Sequence, residues 1–132
     1  MTESLDTKLS DVVRIARHYQ RSIRIDADLG RPEALDGYIC HATARAVLDG
    51  MSKQLLENNQ RAFTWTGPFG GGKSSLAVAF ASALAQNKTL RAKARGILRL
   101  DKLPAFDQAL PVRRGWLAIP VVGKRASVVA EL

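Results

Sequence analysis

Gly67-Pro68-Phe69-Gly70-Gly71-Gly72-Lys73-Ser74 is the stretch that decides the expected fold, because it spells G-x-x-x-x-G-K-S. Successive glycines let backbone N–H groups curl around a phosphate, where side chains would block the approach. The lysine ammonium can reach the β- and γ-phosphates of a nucleoside triphosphate, and the serine hydroxyl can bind Mg²⁺. The stretch, called the glycine loop below, therefore predicts a nucleotide phosphate site.

The segments on either side of the glycine loop occur in the order that such a loop requires. Residues 62–66, Ala-Phe-Thr-Trp-Thr, are β-branched and aromatic and predict a strand that leads into the loop. Apolar residues then recur at helical spacing over residues 74–86, which predicts a helix whose N-terminal dipole faces the phosphate. Strand, loop and helix in this order predict an α/β fold with three α/β/α layers.

Composition sets the outer limits of this interpretation. The chain has 132 residues, which fits one domain or part of one, and it has no apolar stretch long enough to cross a bilayer. Its acidic start lacks the pattern of a signal peptide, and Cys40 is the only cysteine. We therefore expect a soluble cytoplasmic protein without membrane contact, in which Cys40 is a buried and inert thiol.

Hydrophobic periodicity predicts the remaining elements and two units. Residues 1–27 form an N-terminal amphipathic helix with an extended segment, and residues 28–132 form the nucleotide-binding unit. The individual predictions are a helix within residues 3–21, a strand or extended segment at 21–26, helices at 44–57 and 102–110, a strand buried on both faces at 116–122, and a further helix from 126 to 132.

A family resemblance rests on three features of the chain. Gly30, Arg31 and Glu33 are followed by the predicted helix at 44–57 and then by residues 65–77, which include the glycine loop. This layout resembles the start of the ATPase module in AAA+ and STAND-type P-loop NTPases, and in particular the N-terminal region of large bacterial ATP-binding proteins, including those of anti-phage defence. The resemblance covers about residues 28–86 and implies ATP and Mg²⁺ as cofactors.

The resemblance also implies a role for individual residues. Gly67 belongs to the loop, and Gly70, Gly71 and Gly72 give backbone contacts to phosphate. Lys73 contacts the β- and γ-phosphates, Ser74 binds Mg²⁺, and Ser75 contacts the α-phosphate. The segment before the first strand often lines the adenine pocket in such modules, which makes Leu35, Gly37 and Tyr38 candidates; ordinary packing is the alternative for Tyr38.

Hydrolysis requires more than the glycine loop. An acidic residue at the end of a later strand helps to hold Mg²⁺ in such sites. Asp101 is the nearest candidate, but Arg99 interrupts the apolar run before it, and a capping or surface role is the alternative. Only 132 minus 73, or 59, residues follow Lys73, which is room for one or two further strands. We therefore expect the N-terminal part of a larger ATPase, prone to self-association or dependent on partner subunits, with turnover by this chain alone not expected.

Two other functions stay open at this point. The net charge of +8 is concentrated after the loop helix, and the basic segment 88–102 could bind nucleic acid, although a solvated helix face explains the same charges. A small autonomous nucleotidase or kinase would need Asp101 to hold the metal. ATP is favoured over GTP because Asn87-Lys88-Thr89-Leu90 has Leu where a guanine-recognition motif has Asp.

Overall fold

The computed structural model describes Lys8, Val12, Val13 and residues 22–123, and these residues fold through helices rather than strands. Five helices and two 3₁₀ turns are ordered along residues 22–123. They are α1 (Ile25–Asp28), a 3₁₀ turn (Pro32–Leu35), α2 (Ala42–Asn58), α3 (Lys73–Ala83), α4 (Lys88–Leu98), a 3₁₀ turn (Leu100–Lys102) and α5 (Pro104–Ala109).

Local chemistry explains where the longer helices begin and end. The side-chain oxygen of Asn87 accepts hydrogen bonds from the Thr89 and Leu90 N–H groups at 3.0 and 3.1 Å, which caps the start of α4. Helix α2 ends where Asn59 adopts the left-handed conformation with φ of 52°. Asparagine is one of the few residues that tolerate this conformation. Asn87 is also the first residue of Asn87-Lys88-Thr89-Leu90, the segment that was compared with a guanine-recognition motif. In the structure it serves as a helix cap.

The core forms where α2 packs on α5 and α3 packs on α4. Phe106 of α5 is fully buried and meets Phe80 of α3 edge to face, with ring centroids 6.0 Å apart. Phe80 in turn meets Trp65 edge to face at 5.8 Å. Such aromatic pairs add about 0.5–1.5 kcal/mol beyond the burial of their area. This aromatic row joins α5, α3 and the segment before the glycine loop.

The predicted three-layer α/β/α fold is wrong for the described residues, because none of them forms a strand. Residues 62–66 have no regular secondary structure, and Phe63 and Trp65 pack against the core while Thr64 and Thr66 are exposed. No segment among the described residues pairs with this backbone. A strand requires a hydrogen-bonded partner, and the helices cover the core face of this segment without supplying one.

The second predicted strand is also wrong. Residues 116–122 form no strand and are exposed, with Leu117, Ile119 and Val121 at 78%, 75% and 77% of their full exposure. A continuous apolar run is buried on both faces only where helices cover both sides of a sheet. Here no described helix covers either side of residues 116–122. The apolar sequence of the run therefore did not determine whether it is buried.

Several helix predictions are confirmed, and others lie outside the described residues. The helix predicted at 44–57 is α2, the loop helix is α3, and the short helix at 102–110 is α5. The strand or extended segment predicted at 21–26 is wrong at its end, because α1 begins at Ile25, while the preceding Arg24 does have an extended backbone. The helix predicted within residues 3–21 falls almost entirely on residues that the structure does not describe, and the helix from 126 to 132 does so entirely.

Among the described helices, none combines the length and the apolar content needed to cross a membrane.

Gly115 anchors the C-terminal extended segment to the end of α3. Its φ is 95°, and a Cβ at this position would lie 2.4 Å from the Cα of Gln86. The next residue, Trp116, donates its backbone N–H to the Leu84 carbonyl oxygen at 2.7 Å. Only glycine fits this combination of positive φ and close backbone approach.

We expect Gly115→Ala to release this anchor. The added methyl group overlaps the Gln86 backbone and meets an unfavourable φ, which together should cost about 2–4 kcal/mol. Urea denaturation should show the loss, and trypsin should cleave faster after Arg114. Gly123→Ala is the matched control, because its Cβ meets no atom within 4 Å and its φ is not positive. Equal stability and equal cleavage of the two variants would contradict the anchor.

Ser82 of α3 places a polar group in the core without a partner. Its side chain is 1% exposed, and its hydroxyl has no hydrogen-bond partner among the described residues. Ser52 of α2 is equally buried, but its hydroxyl donates to the Leu48 carbonyl oxygen at 2.7 Å. The two serines are thus equally buried, but only the Ser52 hydroxyl is hydrogen-bonded, and this difference affects stability.

We expect Ser82→Ala to raise the free energy of unfolding by about 1 kcal/mol, because an unsatisfied buried hydroxyl costs roughly 1–3 kcal/mol. Ser52→Ala should lower it by about 0.5–1.5 kcal/mol, the usual value of one hydrogen bond. Urea denaturation of both variants measures the difference. A loss of stability in Ser82→Ala equal to that in Ser52→Ala would contradict this account.

Candidate phosphate-binding site

The glycine loop forms a tight turn that ends at the N-terminus of α3. Gly70 and Gly72 have φ values of 76° and 74°, and the Gly71 N–H donates to the Pro68 carbonyl oxygen at 3.2 Å. Gly72 is the N-cap residue, so no side chain caps the helix. The Leu76 N–H bonds the Gly72 carbonyl oxygen at 2.9 Å. The N–H groups of the first turn precede that bond and are left for another acceptor, such as a phosphate oxygen.

Lys73 holds its ammonium over the loop. Its Nζ donates to the carbonyl oxygens of Gly67 and Pro68 at 3.0 and 2.7 Å. An ammonium has three donors, so these bonds leave one N–H for an anion. The positive charge is therefore fixed next to the open N-terminus of α3, and both favour an anion at the same place.

The serines that follow Lys73 lie at the mouth of the same region. Ser74 is exposed and Ser75 is half-buried, while the next residue, Leu76, enters the core. Both serine side chains line the cleft described below. The predicted contacts of Ser74 with Mg²⁺ and of Ser75 with the α-phosphate are compatible with these positions and remain predictions.

A cleft of about 1260 Å³ opens between the glycine loop and the segment that leads into α2. Gly37 and Tyr38, which the family resemblance implied for the adenine pocket, line this cleft. Leu35 does not, because it is 1% exposed and belongs to the core. Tertiary packing therefore brings the loop and two of the three predicted base-site residues to one cleft.

Other lining residues were not identified from the sequence. Asp36, Ile39, His41 and Thr43 also face the cleft, and no motif in the sequence marks them. Their position depends on the 3₁₀ turn Pro32–Leu35 and the start of α2, which set this segment opposite the loop. Their proximity to Gly37 and Tyr38 in the chain was the only available signal.

Asp36 is the only carboxylate among the described residues of the cleft lining. Lys93 of α4 neutralises it, with Nζ 2.6 Å from the Asp36 carboxylate and 2.8 Å from the Pro32 carbonyl oxygen. An unpaired carboxylate here would repel a triphosphate. The ion pair therefore leaves Lys73 and the α3 N-terminus as the dominant charges of the site.

Asp101 does not belong to this cleft. It is exposed in the 3₁₀ turn Leu100–Lys102, and it is absent from the described lining. In the part of the chain that the structure describes, no group of three or more His, Cys, Asp or Glu side chains is arranged to hold a metal. The hypothesis that Asp101 serves a metal at the glycine loop is therefore not supported by its position.

Burial perturbs two titratable groups beside the cleft. It raises the pKa of Tyr38 to about 12, with a smaller contribution from Cys40. Burial also raises the pKa of the Cys40 thiol, although Arg45 and Arg99 act in the opposite direction. Both groups therefore favour their neutral forms at neutral pH, and Cys40 is partly rather than fully buried, so its inertness stays a prediction.

The chain was compared with family models, with curated proteins and with solved structures, and none of these matched. The resemblance to AAA+ and STAND-type NTPases is therefore corrected on two grounds. Those folds need a central sheet, which the described residues lack, and no relative supports the assignment. The motif in residues 67–74 is present without the surrounding architecture that it predicted.

Partial burial of Tyr38 makes the free energy of unfolding depend on pH in the alkaline range. Because its folded pKa of about 12 lies above the ordinary value of 10, the unfolded chain loses the proton first. The stabilisation is fully present below pH 10 and is lost as the pH rises towards 12. We expect wild type to lose stability relative to Tyr38→Phe over this range, measured by urea denaturation at stepwise pH. A constant difference between the two proteins would contradict the burial of this hydroxyl.

Proposed function

We propose that the protein binds Mg²⁺-ATP, with the triphosphate held at the glycine loop. The observation that carries the proposal is the convergence of Lys73, the uncapped N-terminus of α3 and the loop turn on one open cleft. Each supplies positive charge or N–H donors, and a triphosphate is the ligand that uses all of them. The proposal rests on local geometry and requires no membership of a sheet-based family.

The far wall of the cleft supports a nucleotide rather than a bare polyphosphate. Tyr38 is half-buried there, and Ile39 and Val47 add apolar surface to the lining. Phe69 of the glycine loop is fully exposed and also lines the cleft. A planar base is largely apolar on its faces, and aromatic side chains stack on bases with little dependence on sequence. Binding is thus assigned to two regions, phosphate at the loop and base at the apolar wall.

The proposal concerns binding. Turnover additionally needs groups that hold Mg²⁺ and orient water. Ser74 is the one predicted metal contact in the cleft, and the role of this chain in a larger ATPase remains a prediction.

Lys73→Ala should reduce the affinity for Mg²⁺-ATP at least tenfold, which corresponds to about 1.4 kcal/mol or more. The reason is the loss of the charge beside the phosphates. Isothermal titration calorimetry at one fixed salt concentration measures the change. Lys88→Ala is the matched control, because it removes the same charge from an exposed residue outside the cleft.

Two results would contradict the proposal. One is an absence of saturable binding by the wild type, and the other is an equal reduction of affinity in Lys73→Ala and Lys88→Ala. Since Lys73 also bonds two loop carbonyl oxygens, Ser74→Ala tests the site without disturbing those bonds. We expect this second variant to weaken the Mg²⁺ dependence of binding.

A further inference from the structure

A second group of cations lies at a separate pocket, between α2 and the C-terminal end of α4. The pocket has a volume of about 390 Å³ and is called the corner pocket here. Arg45 of α2, Arg99 at the end of α4 and Lys102 of the following 3₁₀ turn bring three positive charges to its lining. The described residues of this lining are Arg45, Ala46, Asp49, Arg99, Lys102 and Leu103, none of which lines the cleft at the glycine loop.

The corner pocket differs from the rest of the basic segment in how its charges are used. Lys93 is paired with Asp36 at 2.6 Å, and Arg95 is paired with both oxygens of Asp107 at 2.7 and 2.8 Å. Arg91 donates to the Ala85 carbonyl oxygen at 2.7 Å. Lys93 and Arg95 are neutralised by carboxylates, so they contribute little to binding an external anion, and Arg91 is directed towards the segment that follows α3.

By contrast, the side chains of the corner-pocket cations are uncommitted. Arg45, Arg99 and Lys102 make no side-chain hydrogen bond or ion pair within the described part of the chain. Asp49 also lines the pocket, but its carboxylate is paired with Lys53 at 2.6 Å. The C-terminal dipole of α4 adds the equivalent of about half a negative charge near the pocket. The three positive charges of Arg45, Arg99 and Lys102 outweigh it, so the pocket stays positive.

Two further observations support convergence of these charges. Arg45 is only partly exposed, so its charge is less screened than that of a solvated arginine. Arg45 comes from α2 and Arg99 from the end of α4, yet both line the same pocket. The pocket size lies at the lower end of small-ligand sites, which begin at about 300 Å³.

We propose that the corner pocket binds a terminal phosphate group, that is, a phosphate monoester or a pyrophosphate. Planar guanidinium groups pair with phosphate oxygens through two parallel hydrogen bonds, and an ammonium adds a point charge. Three converging cations match the two or more negative charges of a terminal phosphate. An internal phosphodiester carries a single charge and calls for a row of cations instead. This site is separate from the glycine loop and does not depend on the function proposed above.

The test uses the full chain with Lys73→Ala, so that binding of the probe at the glycine loop is weakened. Pyrophosphate is titrated into this protein by calorimetry at fixed, low salt. We expect saturable binding that falls at least tenfold when Arg99→Gln and Lys102→Gln are added. The control adds Lys88→Gln and Arg114→Gln, which remove the same charge from exposed positions outside the pocket. Affinity in this control should fall less than threefold.

Thermal melting shows that each variant is folded before titration. Arg45→Gln, which changes α2 rather than the end of α4, is a second and independent variant that should also weaken binding. Absence of saturable binding in the Lys73→Ala protein would overturn the proposal. An equal loss in the pocket variant and the charge-matched control would also overturn it, because the effect would then reflect net charge alone.

The source of the phosphate is resolved by a second titration. Short single-stranded DNA with a 5′-phosphate is compared with the same DNA carrying a 5′-hydroxyl. Preference for the phosphorylated end, lost in the pocket variant, supports the site and identifies a nucleic acid end as a source. Pyrophosphate binding without a preference between the two DNAs supports the site and assigns it to a small phosphorylated compound.

Discussion

Burial of α3 is the constraint on which the rest of this structure depends. Val78, Ala79 and Ala83 of this helix are almost fully buried, and they lie on more than one of its faces. A helix enclosed on several sides is fixed in position and rotation by its neighbours. Its N-terminus carries the glycine loop, and its C-terminal end holds Trp116 through the Leu84 carbonyl oxygen. The direction of the N–H groups offered to a phosphate is thus set by packing in the core.

The same helix organises the aromatic row. Phe80 lies between Trp65, which precedes the glycine loop, and Phe106 of α5. The chain on the N-terminal side of the loop is therefore held by the helix on its C-terminal side. This arrangement fixes both ends of residues 67–74 without a sheet. It explains how a glycine loop of this composition reaches a defined turn in a helical structure.

Sequence alone was sufficient for those elements whose stability is local. The spacing of apolar residues located α2, α3 and α5, because a helix makes its own backbone hydrogen bonds. It was insufficient for the strands at 62–66 and 116–122, because alternation or an apolar run describes side chains and not the partner that a strand backbone requires. Burial is also not encoded within the run at 116–122. Ile119 is exposed there, because no residue of the run determines whether other elements pack on it.

The residues of the candidate site also fall into those that the sequence could propose and those that depend on tertiary packing. Gly72, Lys73 and Ser74 could be proposed from the sequence because residue type and spacing within one short segment suggest their roles, which stay predictions. Asp36 and His41 were not, because they reach the cleft only through the turn and helix that precede the loop. Leu35 shows the converse error: its place in the chain suggested the base site, and its burial in the core removed it.

The net charge of +8 is distributed in a way that composition could not show. Helix α4 uses Lys93 to reach Asp36 and Arg95 to reach Asp107, so much of its charge joins the cleft wall and α5 to the core. Lys73 at the glycine loop and the group at the corner pocket are the cations that line the two described cavities, while other exposed cations such as Lys88 and Arg114 lie outside both. A long polyanion would need a continuous row of free cations, and pairing within α4 interrupts that row. The two proposals therefore place phosphate recognition at separate points, and the pairing within α4 argues against a continuous nucleic-acid interface along that helix.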